Sequence, residues 1–319
     1  MVDQLASAET CRVCGALLSK TQFQAEGICG ECAGIGPHAS ADALLADAVF
    51  APFDPAQPSQ EPLQPDPDSP HWGPGAGIGV WVASVAAIVV IPVIAVIAWY
   101  IVQTARGAAP PNLGVPEEML AWLKSPNLLL VQVLSTIVAH AITIAICWVV
   151  VTRFGKGQFW ASLGWNWAGR SVWYWLAFSA CVIVALLMVT QLLSRVLPQS
   201  EENSFTELLK SSKQVRIAIA VLATFTAPLV EETVYRGILY SGLRKSFGLN
   251  ATVALVTLMF AGVHVLQYIG AWVSIAGLTL LSLALTVIRA RTKSILPCVA
   301  IHTANNGFFS VLILLNIAT

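Results

Sequence analysis

The chain has 319 residues, 56% apolar and only 11% charged, with a mean hydropathy of +0.73, which excludes a water-soluble globule because one soluble core could not bury so much apolar surface. The formal net charge is zero, yet residues 1–70 hold ten acids against two bases, and the remainder holds seven acids against fifteen bases. Neither part contains a basic stripe interleaved with aromatic residues, so no nucleic-acid partner is expected.

Four cysteines near the start form two CxxC pairs, Cys11 with Cys14 and Cys29 with Cys32, separated by fourteen residues. Together they can present four thiolates to one tetrahedral zinc ion, and so short a segment needs the binding energy of the metal to fold. A disulfide pair or a redox CxxC is the alternative, but no thioredoxin-like βαβ pattern accompanies them. We predict a zinc-ribbon-like module with a structural zinc over residues 1–36. Free thiolates favour the reducing, cytoplasmic side.

Residues 37–76 are rich in Pro, Asp, Gln and Ser and show no sustained apolar period. This composition predicts an acidic, disordered linker between the zinc module and the rest of the chain.

The remainder is a series of apolar runs of membrane length. Crossing about 30 Å of hydrocarbon takes about 20 helical residues. We therefore predict an all-α polytopic membrane protein of about seven transmembrane helices, with N-terminal helices over residues 77–214 and a catalytic core over residues 215–319. The predicted spans are residues 78–102, 128–151, 172–193, 217–243, 251–269, 272–288 and 295–318.

Lys and Arg residues are distributed unevenly between the predicted loops. With seven spans, the N-terminal segment and the loops on its side hold ten of them, against six on the opposite side. The positive-inside rule then predicts a cytoplasmic N-terminus, in agreement with the zinc module.

Ionisable residues within the apolar runs are the candidates for function, since each costs at least about 2.5 kcal/mol at membrane depth. On a helix, Glu232 and Arg236 are i,i+4 neighbours that can pair, whereas Glu231 is turned about 100° away and has no local cation. A desolvated, unpaired carboxylate suits general base catalysis near neutrality. The alternative is a solvated charge cluster at the membrane interface. We interpret His140 as an ordinary hydrogen-bonded histidine of a helix bundle.

Two further helices add imidazoles. Phe260 lies one turn before His264 on the same face, and Asn306 lies one turn after His302. Combined with Glu231, these residues could activate water, while the histidines bind a metal or polarise a carbonyl and the amide donates to an oxyanion.

Three motifs thus occur in order: EExxxR at residues 231–236, FxxxH at 260–264 and HxxxN at 302–306. The combination resembles the CAAX prenyl protease and bacteriocin-processing family (CPBP, also called Abi), which includes type II CAAX prenyl endopeptidases. The resemblance extends over roughly residues 215–318. It implies an intramembrane peptidase whose core helices enclose a water-filled cavity. By motif position, the implied roles are water-activating base for Glu231, partner on the water for His264, oxyanion stabilisers for His302 and Asn306, and support for Glu232, Arg236 and Phe260.

The family is commonly called metalloprotease, and His264 and His302 are then the candidate ligands of a catalytic zinc. Direct catalysis by glutamate and histidine is the alternative. The residues that other intramembrane proteases need are absent. The last aspartate is Asp68, so the predicted spans hold no aspartyl pair, and neither the HExxH motif nor the GxSxG motif occurs.

The sequence therefore predicts an integral membrane endopeptidase of the bacterial inner membrane, acting on a membrane-associated peptide or protein substrate near the membrane surface. A protein partner is expected for the N-terminal module. A non-catalytic scaffold or bacteriocin-immunity protein, using the same cavity for binding, is the alternative. A transporter is disfavoured because no matching halves with broken helices are evident.

Overall fold

The computed structural model describes residues 65–109, 111–112, 114–198 and 203–315. The predicted zinc module and most of the predicted linker lie outside these residues. The chain divides into two units, Met1–Leu63 and Gln64–Thr319, and the second is the helical body.

Every regular element of the described residues is helical, which confirms the predicted all-α fold. Six helices are long and apolar enough to cross a membrane, and α8 is a shorter apolar helix of 17 residues. Each predicted span overlaps one of these seven. The helices are α1 Pro74–Ala105, α2 Pro116–Leu123, α3 Pro126–Thr152, α4 Phe159–Ser162, α5 Val172–Leu193, α6 Ser204–Ser211, α7 Lys213–Arg244, α8 Leu249–Val265, α9 Trp272–Thr292 and α10 Leu296–Leu314.

The long helices begin where the sequence supplies suitable first residues. Proline opens α1, α2 and α3, at positions whose backbone N–H groups would have no intrahelical partner. Ser171 caps α5 by accepting a hydrogen bond from the backbone N–H of Tyr174. Along α1, large apolar side chains such as Val89 and Ile101 are exposed, as expected of a surface that faces lipid.

Helix α7 is the most buried of the six long spans: half of its apolar window is buried, against 6% for α5. It contains two π-helical stretches, the first π segment Leu222–Thr226 and the second π segment Thr233–Leu239. Pro228 follows the first of them, and proline cannot supply the backbone N–H that a regular helix needs. The short α-helical stretch Ala227–Glu232 separates the two π segments.

The end of the predicted linker lies against the helical body. The side chain of Trp72 is buried, and its indole N–H donates to the carbonyl oxygen of Ile238 at 3.1 Å. Residues 65–73 are therefore part of the body's packing, up to the start of α1.

Candidate active site

The two adjacent glutamates of α7 lie between its π segments and differ in exposure. The side chain of Glu232 is fully buried, whereas that of Glu231 is 21% exposed. The one-residue offset turns them to different sides of the helix, as predicted.

Glu232 forms the predicted buried ion pair with Arg236. Arg236 Nη1 donates to Glu232 Oε1 at 2.9 Å, and both side chains are fully buried. The guanidinium also donates to the carbonyl and hydroxyl oxygens of Ser282 and, through Nε, to the hydroxyl oxygen of Thr286, both on α9. The central carbon of the guanidinium, Cζ, lies 4.9 Å from the centroid of the Phe260 ring. The paired charge and these bonds offset the cost of burying the arginine.

His302 connects the two glutamates. Its Nδ1 lies 2.7 Å from Glu232 Oε1, and its Nε2 lies 3.7 Å from Glu231 Oε2. The Glu232 carboxylate, paired with Arg236, only accepts hydrogen bonds, so Nδ1 carries the proton and donates. In the neutral imidazole, Nε2 then presents its lone pair towards Glu231.

His264 occupies the neighbouring side of the cluster. Its Nδ1 lies 2.8 Å from the carbonyl oxygen of Phe260, and the two rings are 4.8 Å apart. The centroid of the Phe260 ring also lies 6.0 Å from that of the His302 ring, so Phe260 contacts both imidazoles. Among the described residues, the histidine within ion-pair distance of Glu231 is His302. The proposed partnership of His264 with Glu231 on a water stays a prediction.

Asn306 holds α10 against the first π segment. Ala227 N–H donates to Leu222 O, five residues back, and Pro228 has no N–H, so the carbonyl oxygen of Ala223 has no backbone donor. Asn306 Nδ2 supplies one at 2.9 Å. Its second amide proton stays available for the predicted oxyanion role.

Replacing Asn306 by alanine should lower the free energy of unfolding by about 1–3 kcal/mol, because the Ala223 carbonyl oxygen would lose its donor. Unfolding measured in lipid bicelles tests this. Thr224→Val is the matched control: it removes the hydroxyl bond from Thr224 to Ser310, 3.0 Å long, between the same helices, and should cost less. An Asn306→Ala variant as stable as the wild type would leave the Ala223 bond without structural importance.

Sequence analysis missed Ser282 and Thr286, which accept hydrogen bonds from Arg236, and it missed Tyr268. Tyr268 follows α8 one turn after His264, and burial together with the charge of Glu231 raises the pKa of its phenol to about 12, so it stays protonated. Its spacing of four residues from His264 was the one signal in the sequence that could have indicated it.

His140 matches its interpretation as a hydrogen-bonded histidine of the helix bundle: it is buried, and its Nδ1 lies 3.0 Å from the hydroxyl oxygen of Thr226.

The donor set does not fit a catalytic zinc. Among the described residues, no group of three or more His, Cys, Asp or Glu side chains is arranged to hold a metal ion. Nδ1 of His302 is bonded to Glu232 and Nδ1 of His264 to the Phe260 carbonyl, an orientation usual for metal-ligating histidines, but their Nε2 atoms and Glu231 do not form such a group of three.

Fold and site together define a polytopic helical membrane protein with a carboxylate and imidazole cluster between its last helices. Residues 213–308 match the family model described as Type II CAAX prenyl endopeptidase Rce1-like, less than a third of the chain. The match covers all three motifs and supports the predicted resemblance of this segment to the CPBP family, a family of CAAX-type intramembrane proteases. No curated protein and no solved structure matches the chain significantly.

Proposed function

We propose that the protein is a glutamate-dependent intramembrane endopeptidase that cleaves a membrane-anchored peptide, with Glu231 as the general base. The observation that carries the proposal is the 3.7 Å separation of Glu231 Oε2 and His302 Nε2. The neighbouring Glu232 carboxylate is paired with Arg236. A single water oxygen can lie about 2.8 Å from both atoms, within hydrogen-bond distance of each.

In the first step, Glu231 takes one proton from this water while the water oxygen bonds to the carbonyl carbon of the scissile peptide. The carbonyl π bond opens and its electrons become an oxyanion. The second amide proton of Asn306 is the donor proposed to stabilise that charge, while His264, whose Nδ1 donates to the Phe260 carbonyl, keeps its predicted place beside the water. Glu232 holds His302 in one tautomer, so that its Nε2 orients the water.

In the second step, the oxyanion electrons re-form the carbonyl bond and the bond from carbon to nitrogen breaks. Glu231 returns its proton to the leaving nitrogen, which departs as a free amine. The other product is a new carboxylic acid, which keeps the second proton of the water and ionises once released. The glutamate ends in its starting protonation state, so the cycle balances without a further reactant.

We propose a structural zinc held by Cys11, Cys14, Cys29 and Cys32, in a module that binds a protein partner. The N-terminus is proposed to be cytoplasmic, with the helices in a bacterial inner membrane. Because no group of three potential ligands is arranged to hold a metal ion among the described residues, we propose that Glu231 activates the water directly.

The full-length protein in lipid nanodiscs tests hydrolysis directly. A peptide ending in a prenylated CAAX sequence, incubated in H₂¹⁸O, should yield one ¹⁸O atom in the newly formed carboxylate, as read by mass spectrometry. The unprenylated peptide, tethered by a transmembrane anchor, shows whether the prenyl group or membrane anchoring matters. Absence of both products at enzyme concentrations above substrate would refute the proposed function.

A further inference from the structure

The segment directly before α1, residues 66–72, packs across the ends of three helices, and we call it the strap. It carries both carboxylates that approach α9, and it ends in the buried Trp72. Its bonds to the helical body are Arg289 to Asp68 and to the Pro67 carbonyl, Lys245 to the Pro70 carbonyl, His71 to the Val150 carbonyl, and Trp72 to the Ile238 carbonyl.

Arg289, in the last turn of α9, is the centre of this contact. Its side chain is fully buried, yet it has no role in the proposed chemistry. Its Nη1 donates to Asp68 Oδ1 at 2.7 Å and its Nη2 to Pro67 O at 3.1 Å, while its guanidinium carbon lies 4.9 Å from the Tyr240 ring centroid. Asp68 is its ion-pair partner among the described residues. A buried guanidinium without that carboxylate would be strongly disfavoured.

The third donor of Arg289 reaches the catalytic helix. Its Nε donates to the carbonyl oxygen of Arg236 at 3.1 Å. In a regular α-helix the N–H of Tyr240 would donate to that oxygen, but in the second π segment it donates to Tyr235 O. Arg289 therefore replaces the donor that the π segment removes.

The two π segments are thus held in the same way. Asn306 donates to Ala223 O at one end of the catalytic stretch, and Arg289 donates to Arg236 O at the other. Loss of a π segment would rotate one half of α7 against the other by about 100° and shift it by about 1.5 Å. Such a change would move the Arg236 guanidinium relative to the residues that it must contact on α8 and α9.

We propose that Arg289, with Asp68 as its counter-ion, is a positioning residue for the active site: it fixes the π register that aims Arg236 at Glu232, and so places His302. Within the strap, this role belongs to Asp68, the residue that pairs with Arg289. This inference rests on the proposed peptidase function for its kinetic consequence only, because the placement of His302 can be observed without turnover.

The test uses the full-length protein in nanodiscs with three variants. Asp68→Asn removes the counter-charge at nearly constant size, and Arg289→Lys keeps the charge but loses the Nε donor. Asp66→Asn is the matched control, because Asp66 lies on the same strap but pairs at 3.7 Å with the exposed Lys293 instead of Arg289.

We expect kcat to fall about tenfold in Asp68→Asn and further in Arg289→Lys, since small displacements of catalytic groups cost rate steeply, with KM within about twofold. Asp68→Glu should restore most of kcat, and Asp66→Asn should match the wild type. The ¹H–¹⁵N signal of His302 Nδ1, assigned by its loss in His302→Gln, should shift in both impaired variants and not in the control.

Unchanged kcat and an unmoved His302 signal in both impaired variants would overturn the inference. A fall in melting temperature that accounts for the lost activity, without recovery in Asp68→Glu, would also overturn it by showing a merely structural role. If the wild type itself cleaves no substrate, the peptidase proposal fails, and the His302 signal alone then decides whether Arg289 positions the site.

Discussion

Replacing Glu231 by glutamine is expected to lower kcat by about 10²–10⁴-fold, the contribution typical of a general base, while the protein stays folded. Glutamine keeps the length and the hydrogen-bonding shape of the side chain but cannot take a proton from water. Glu231 is the member of the glutamate pair that is partly exposed and has no arginine partner. The ¹⁸O-labelled product of the CAAX peptide measures the rate.

Glu207→Gln is the matched control for this substitution. Glu207 pairs with Lys124 at 3.0 Å, and both side chains are more than half exposed, so the change should leave turnover as in the wild type. Binding of the peptide to Glu231→Gln should persist, since the base acts on water and not on affinity. A Glu231→Gln variant that cleaves at the wild-type rate would refute the role of Glu231 as the general base.

Composition and spacing predicted the architecture well because a membrane restricts the choice. A single segment within lipid can satisfy all of its own backbone groups as a helix, so an apolar run of about 20 residues is expected to form one. The run predicted over residues 172–193 coincides with α5, and the run over 128–151 lies within two residues of α3 at each end. The pairing of Glu232 and Arg236 followed equally from helical geometry.

The distances within the site did not follow from the sequence. Motif order places His264 and His302 near the glutamates, but it cannot say which imidazole approaches which carboxylate, because that depends on the rotation of each helix. The structure brings His302 to both glutamates and leaves His264 bonded to Phe260. The π segments change the rotation of α7. In the sequence, Pro228, directly after the first π segment, was the one residue that indicated an irregular helix there.

The strap escaped prediction for a different reason. Residues 66–72 have the Pro- and Asp-rich composition of a linker, and nothing local indicates packing. Their order depends on Arg289, more than two hundred residues further along the chain. Long-range contacts of this kind cannot be read from a single sequence.

Replacing Arg236 by methionine is expected to lower the free energy of unfolding by about 3–5 kcal/mol, the usual cost of breaking a buried ion pair at one partner. Methionine fills part of the space but leaves the Glu232 carboxylate charged and buried. That carboxylate already has one oxygen, Oε2, without a hydrogen-bond partner among the described residues. The polar atoms of Ser282 and Thr286 on α9 would also lose their guanidinium donors.

Reversible unfolding in bicelles measures this difference, and Lys124→Met is its matched control. The pair of Lys124 and Glu207 has a similar length but is more than half exposed, so its loss should cost no more than about 1 kcal/mol. Adding Glu232→Gln to Arg236→Met should recover part of the lost stability, because the double variant buries no unpaired charge. Equal stability of Arg236→Met and Lys124→Met would show that the buried pair does not hold α7 in place, and the register of the catalytic glutamates would then need another cause.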